Sequence, residues 1–518
     1  MATHSERPVN LADVVRRQAR LRPTAPALSF ADRTQTYAEL DARSSQVANA
    51  LLNRGLQAGD RVAILARNLP LFFELAFAAG KANLQMVGLN WRLAAAEIEG
   101  IVRDAAPALV IVADEFQDSL NDKVRALPAT DIISVAAFEK VVDGASESDP
   151  TSSSTPAQVV CVLYTSGTTG QPKGVQLTHE NMGYSGWISE HAYGVTAASV
   201  NLVAMPLFHV GGLGYGLSAF MHGGHTILLQ APDAGEIITA IDAYQVTHAF
   251  FVPAVIQTIV SHEMLAGANL SSLELLVYGA SPISDALLRA ALQALDCRFV
   301  QAYGMTETAG SVVILDAAEH DPESPHAGRL RACGKALPWI ELRIVDPAAG
   351  TDVAQGEVGE IWTRSRQNTP GYRNKPEETA AAILTDGWLR TGDAAYQDED
   401  GFIYLFDRYK DMIVSGAENI YPAEVENALY DHADVAEVAV IGVPHERWGE
   451  TVMAMVVRAP EATVEAQELI EFSRTRLAKY KCPTSIEFVT ELPRNASGKL
   501  LKTELRAPYW QHQQRAIS

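Results

Sequence analysis

Residues 164–175 read YTSGTTGQPKGV, three glycines and four aliphatic hydroxyls around the single Lys173, directly after the apolar run VVCVLY at 159–164. The stretch is not a Walker loop. That motif needs Gly-Lys-Ser/Thr, whereas here Pro172 precedes Lys173 and Gly174 follows it. The composition still suits an anion. Gly167, Gly170 and Gly174 can take backbone angles that let amides approach, while Thr165, Ser166, Thr168 and Thr169 can donate hydrogen bonds. Taken alone, the stretch is open to two readings, a phosphate-binding loop and a plain mobile one.

Working outward, apolar runs such as VVCVLY, LELLVYGA (273–280), RFVQAYG (298–304) and VAEVAVIGV (435–443) alternate with helical patterns, which predicts an α/β layering. In open sheets of this kind ligands bind outside the carboxyl ends of strands. Three strand ends here carry glycine-rich or polar loops: the opening stretch, VYGASP (277–282) and QAYGMTE (301–307). Tyr303 could stack on a base, Gly279 to Ser281 could form the opposite wall, and Glu307 could hold magnesium beside phosphates. Each residue in isolation also reads as a core tyrosine or a solvated glutamate.

At 518 residues the chain is too long for one ordinary domain. It is 47% hydrophobic and 20% charged, enough to bury a sizeable core. The net charge of −21 argues against nucleic acid or an anionic membrane as the main partner, without excluding a nucleotide held locally. MATHSERPVN lacks the basic region and apolar run of a signal peptide, and no run of about 18 apolar residues occurs. A cytoplasmic protein with no integral membrane segment is expected. Cys161, Cys297, Cys333 and Cys482 show no metal-ligand spacing and read as small core hydrophobes. Segment 144–158 reads as an exposed connection, and DEDGFIYLFDRYKD (398–411) is the best domain boundary. Beyond it, a helix is expected over 422–431 and another within VEAQELIEFSRTRLA (464–478).

WLRTGDAAY (388–396), DRYKDMIVSGAENIYPAEVE (407–426) and PRNASGKLLKTELR (493–506) complete an ordered set. With them the chain resembles the adenylate-forming superfamily of acyl-CoA synthetases, luciferases and nonribosomal peptide adenylation domains. It is most similar to the acyl-CoA synthetase branch, which includes fatty-acid and aryl-acid ligases. The likeness runs from about residue 27, through TYAELDARSSQVANALLNRGLQAGDRVAI, to about residue 506. It implies a large N-terminal domain of layered α/β subdomains over 1–407. A small mobile α+β domain over 408–518 would rotate between two half-reactions.

The resemblance also implies roles. Thr165, Ser166, Gly167, Thr168, Thr169, Gly170 and Lys173 would wrap the β- and γ-phosphates of ATP. Thr306 and Glu307 would contact the α-phosphate and Mg2+, with Thr165 as a second metal residue. Tyr303, beside Gln301, Ala302 and Gly304 and opposite Gly279, Ala280 and Ser281, would enclose adenine. Asp393 and Arg408 would bind the ribose hydroxyls. Lys499 would reach from the small domain to the substrate carboxylate and the α-phosphate. Lys410 occupies the hinge position, and the Ser415–Asn419 loop, with Gly416, would face the pantetheine channel of coenzyme A.

MPLFHVGGLGYG (205–216) matches the segment lining the acyl pocket in such enzymes, with His209 at its mouth and Phe208 and Val210 beside it. Gly211, Gly212 and Gly214 would leave space, and Val252, Pro253, Ala254, Met305, Gly310 and Ser311 would form walls. Amino-acid-activating relatives usually carry an aspartate here, and 205–216 has no acidic residue, so an apolar carboxylic acid is expected. Ala417 and RSRQNTPGYRN (364–374) depart from the usual pattern. Neither is expected to touch a residue assigned to adenylation, so their effect would fall on CoA handling. HEMLA (262–266) lacks the second histidine of a zinc helix, and GAS is no nucleophile elbow. The partners implied are a small carboxylic acid, ATP and CoA, with no nucleic acid; a homodimer is one assembly this allows. The leading reading is an acid–CoA ligase. The alternatives are an acyl-AMP ligase loading a carrier protein and an inactive nucleotide-binding regulator, although Lys499 and Glu307 are both intact.

Overall fold

The computed structural model describes residues 10–127, 130–150, 154–165, 172–281, 283–408, 411–415, 418–445, 447–494 and 500–511, and of 406–408 and 418–419 it describes the backbone. Two sheets dominate. One has seven strands, in the order Gly371–Tyr372, Lys173–Thr178, Val159–Thr165, Gln85–Leu89, Arg61–Leu65, Leu109–Val112, Asp131–Ser134. The other has nine, running from Lys335–Ala336 through Gly310–Leu315, Arg298–Met305, Leu275–Gly279, His248–Phe251, Val200–Val203 and His225–Leu228 to Pro26–Phe30 and Arg33–Thr36. Central strands such as LVIV, HAFF and LLVYG are parallel to their neighbours and buried along their whole length. That is why they read as continuous apolar runs rather than alternating ones.

A helical layer lies in the core that both sheets share. Every residue of helix Leu71–Ala82 is buried, and its Phe73 and Phe77 rings meet Phe220 of helix Val210–His222 edge-on at 5.0 and 5.5 Å. Gly216 permits this contact, since a Cβ there would sit 2.7 Å from Phe73. A third, antiparallel sheet of five strands ends with Leu389–Gln397 and Ile403–Arg408.

From Ile413 onward the chain forms a fourth sheet around the long pair Val435–His445 and Gly449–Arg458, with Ser485–Phe488 added in parallel. Helix Pro422–Tyr430 starts on its proline as expected. The second helix is shorter than the sequence pattern, Ala466–Arg474. Thr475 ends it, its hydroxyl donating to the Phe472 carbonyl at 2.7 Å in place of a continuing helical bond. The fold is therefore α/β, a large N-terminal domain and a small C-terminal one. Among the described residues no helix is long and apolar enough to cross a membrane.

Candidate active site

Thr165 pairs directly with Lys173 in an antiparallel ladder, so the opening stretch is a hairpin connection rather than the strand-to-helix turn of a Walker loop. Ser166, Gly167, Thr168, Thr169 and Gly170 lie outside the described residues. Gly174 pairs with Tyr164. It sits within the ladder because the Tyr164 ring occupies the place of a side chain, 2.9 Å from a Cβ built there. The Tyr164 hydroxyl donates to Asp104 Oδ2 at 2.6 Å.

Lys173 Nζ lies 5.1 Å from the centre of the Tyr372 ring, and the Tyr372 hydroxyl donates to Glu307 Oε1 at 2.9 Å. A cation, an aromatic ring and a buried carboxylate are thus in sequence. The Thr369 amide donates to the Glu307 carbonyl at 2.7 Å. Gln367 is fully buried; its Nε2 donates to the carbonyls of Thr308 (2.7 Å) and Ser311 (2.9 Å), and its Oε1 accepts from Trp339 Nε1 at 2.9 Å. The expectation that segment 364–374 touches no adenylation residue is therefore wrong. The segment crosses to the seven-stranded sheet, pairing Gly371 with Gln176, and holds Glu307 on the way.

Tyr303 is buried and its hydroxyl donates to Asp393 Oδ2 at 2.7 Å, joining two motifs 90 residues apart. Burial, reinforced by Asp393, pushes this phenol far above its usual pKa, so it remains a donor. Gly279 pairs with Ala302, and a Cβ on Gly279 would fall 2.1 Å from the Ala302 carbonyl oxygen; only glycine fits. Ala280 follows in a left-handed conformation, turning the chain toward Ser281. Gly304 is held as tightly, 2.0 Å from the Gly310 carbonyl oxygen by the same measure. Gln301, on the Tyr303 face of the strand, has an enclosed Oε1 with no partner among the described residues, an acceptor suited to an amino group. Asp393 stands opposite Arg408 in register, and its own amide donates to Thr391 Oγ1 at 3.1 Å. Lys410, Gly416, Ala417 and Lys499 lie outside the described residues.

Two residues that the sequence reading passed over hold this arrangement together. Tyr372 is one. The other is Glu360, buried, accepting from the Gly392 amide at 2.9 Å, Trp362 Nε1 at 2.8 Å and Arg390 Nε at 3.2 Å. It fixes the turn in which Gly392 takes a positive φ before Asp393. Neither residue has a local signal, because each acts on a partner distant in sequence.

On the acyl side, His209 caps the start of helix Val210–His222, packs on Phe208 at 4.6 Å, and has an enclosed Nε2 with no partner among the described residues. Phe208 itself is buried against Gly88. Gly211 faces the Phe250 ring, 3.2 Å from its would-be Cβ, and Gly310 faces Ile188 at 3.5 Å. Gly212 is a correction: its would-be Cβ lies 2.1 Å from the Pro206 carbonyl oxygen, so it serves the turn before the helix and not pocket space. Val252 and Pro253 are buried, while Met305 and Thr306 are half-buried.

Burial pushes His209, His179 and His320 each down to about 4. His179 Nδ1 accepts from the Leu11 amide at 3.3 Å, a bond that protonation would break. Between about pH 4 and 6.5 the native chain binds fewer protons at these sites than the unfolded chain, so stability falls as pH is lowered through that window. Burial also lowers His225 and His248, which act in the same direction, while Glu74, raised to about 7 by burial, acts with the opposite sign, one group against five. The melting temperature should therefore drop between about pH 7 and 5; a flat or rising profile would contradict this placement of the histidines.

Glu307 is a buried carboxylate, a hard oxygen donor of the kind Mg2+ takes. Among the described residues no group of three or more His, Cys, Asp or Glu side chains forms a metal site of its own.

A sequence pattern described as AMP-binding enzyme matches residues 15–373, and one described as AMP-binding enzyme C-terminal domain matches residues 424–499. The feruloyl-CoA synthase of Amycolatopsis sp is 40% identical over 491 residues, 95% of this chain and 97% of that protein. The fatty acid–[acyl-carrier-protein] ligase ScoC of Streptomyces coeruleorubidus is 36% identical over 509 residues, 96% of each. The solved structure of ATP-bound MatB from Rhodopseudomonas palustris matches with a TM-score of 0.87 at 30% identity, covering 96% of this chain and 99% of that one.

Proposed function

The chain belongs to the AMP-binding enzymes, and from that premise we propose that it joins an apolar carboxylic acid to coenzyme A through an acyl adenylate. The observation that carries the reading is the convergence of Glu307, Tyr372 and Lys173 on one side and Tyr303 and Asp393 on the other. These two groups suit phosphates and a nucleoside.

A carboxylate is a poor electrophile because oxide is a very poor leaving group; as acyl-AMP it leaves AMP instead. Attack on the α-phosphate brings one anion onto another. Lys173 and the hairpin amides would offset charge on the departing pyrophosphate, Thr306 would donate to the α-phosphate, and Lys499 would bridge carboxylate and phosphate. Asp393, oriented by Tyr303 and by the turn that Glu360 holds, would accept from the ribose hydroxyls with Arg408 beside it. Glu307 and Thr165 would hold Mg2+, which supplies charge stabilisation to the phosphates. His209, kept neutral by burial, presents an imidazole at the acyl mouth without adding a charge.

In the second half-reaction the small domain, residues 408–518, would rotate about Lys410 and withdraw Lys499. The thiol of CoA then attacks the acyl carbon and AMP leaves. A second reading, transfer to a carrier protein, is favoured by the 36% identity to ScoC. Supplying acid and ATP with either free CoA or a pantetheinylated carrier protein separates the two. Acyl-CoA formation is expected with free CoA, and acylation of the carrier alone would move the assignment to the second reading.

A further inference from the structure

We propose that Asp104 is a positioning residue for the adenylation step. It sets the two hairpin strands that flank the opening stretch, and the strand that carries Tyr372, in one arrangement, so that Lys173 and Glu307 meet the phosphates of ATP together. The inference rests on the ligase reading above.

Four segments close a ring through this residue. Asp104 lies in the last turn of helix Ala95–Ala105, which ends on Ala106 in a left-handed conformation. Its Oδ2 accepts from the Tyr164 hydroxyl at 2.6 Å, and Tyr164 pairs with Gly174 in the ladder. The Gly174 carbonyl accepts from the Arg373 amide at 2.8 Å, and Arg373 Nε returns to the Asp104 carbonyl at 3.0 Å. Asn374, at a φ of 52° that asparagine tolerates, donates from Nδ2 to the same carbonyl at 3.0 Å. That carbonyl needs outside donors. The helix has ended, and the Ala108 amide, four residues on, donates to the Arg61 carbonyl instead. The Arg373 guanidinium thus also places a cation at the negative end of the helix dipole.

The ring brackets the groups that face the phosphates. Lys173 and Thr165, paired with each other, directly adjoin the pair of Gly174 and Tyr164. Tyr372 stands between Gly371, paired with Gln176, and Arg373, and its hydroxyl holds Glu307. A shift at Asp104 therefore reaches Lys173 and Tyr372 through one further residue each. The contacts to the Asp104 carbonyl would form with any side chain at 104; what is particular to aspartate is the carboxylate on the phenol. Burial, reinforced by Asp104, raises the Tyr164 phenol above its usual pKa, so it stays a donor. A charged acceptor makes such a bond roughly twice as strong as a neutral one. Because the Tyr164 ring fills the place of a side chain at Gly174, holding the phenol holds both hairpin strands. Pyrophosphate leaves in the first half-reaction, so the second has nothing for this hairpin to grip.

The test measures pyrophosphate release at varied ATP, with the best acid of an apolar and aryl panel, and acyl-CoA formation from synthetic acyl-AMP. Tyr164→Phe and Asp104→Ala should each lower kcat/KM for ATP by about 5- to 20-fold, with KM for the acid and the rate from acyl-AMP held within about twofold. The double variant should lose no more than the worse single one, since both remove the same bond. Asp104→Asn keeps an acceptor beside the phenol and should recover most of the loss. Unchanged kcat/KM for ATP, equal losses in the two half-reactions, additive losses in the double variant, or no recovery with asparagine would each overturn the proposal, equal losses by reducing Asp104 to a role in stability. Wild type that releases pyrophosphate while the variants match it would sink this inference alone; wild type that releases none with any acid would sink the ligase reading along with it.

Discussion

Lys499→Ala is expected to abolish adenylate formation while leaving thioester formation from preformed acyl-AMP largely intact. In the first half-reaction two anions meet, and a lysine bridging carboxylate and α-phosphate offsets the repulsion where water is excluded; losing one such charge costs on the order of a hundredfold or more in rate. In the proposed second half-reaction the nucleophile is a thiol and the leaving group AMP, and Lys499 would have no part once the small domain had turned. Measured separately, by pyrophosphate release and by acyl-CoA formation from synthetic acyl-AMP, the two rates should diverge by about two orders of magnitude. Equal losses would contradict the two-conformation account.

Glu307→Gln should have the second-largest effect. The substitution keeps the shape and an acceptor for the Tyr372 hydroxyl, which lies 2.9 Å from Oε1, but removes the charge. If that charge holds Mg2+ against the phosphates, adenylation should fall about 100- to 1,000-fold and the Mg2+ concentration needed for half-maximal rate should rise. Tyr372→Phe serves as the comparison. It removes only the orienting hydrogen bond, and a loss of about 3- to 10-fold is expected. Equal losses in the two variants would mean that the hydrogen bond matters and the charge does not.

Much of this was legible in the sequence because the signals are local. The strands Leu275–Gly279 and Arg298–Met305 are unbroken apolar runs, and the polar residues that end them stand where ligands bind in open sheets. What was not legible depends on contacts between distant segments. Nothing near Tyr372 announces that it reaches Glu307, 65 residues away. Glu360 likewise looks like an ordinary strand glutamate until Gly392 and Arg390 close on it. Glycines misled in one place: Gly212 reads as room for a substrate, but the Pro206 carbonyl requires it. Gly279 read as a flat wall for a ligand; the paired strands show a packing requirement there, because the Ala302 carbonyl leaves no room for a side chain.

The central claim is that a carboxylic acid is activated here as its adenylate before any thiol is involved. Exchange of labelled pyrophosphate into ATP tests this most directly, run with Mg2+ and a panel of apolar and aryl acids in the absence of CoA. The account predicts exchange that depends on both the acid and Mg2+, with AMP and not ADP as the nucleotide product once CoA is added. Formation of ADP and phosphate, or an absence of exchange with every acid until CoA is present, would contradict it.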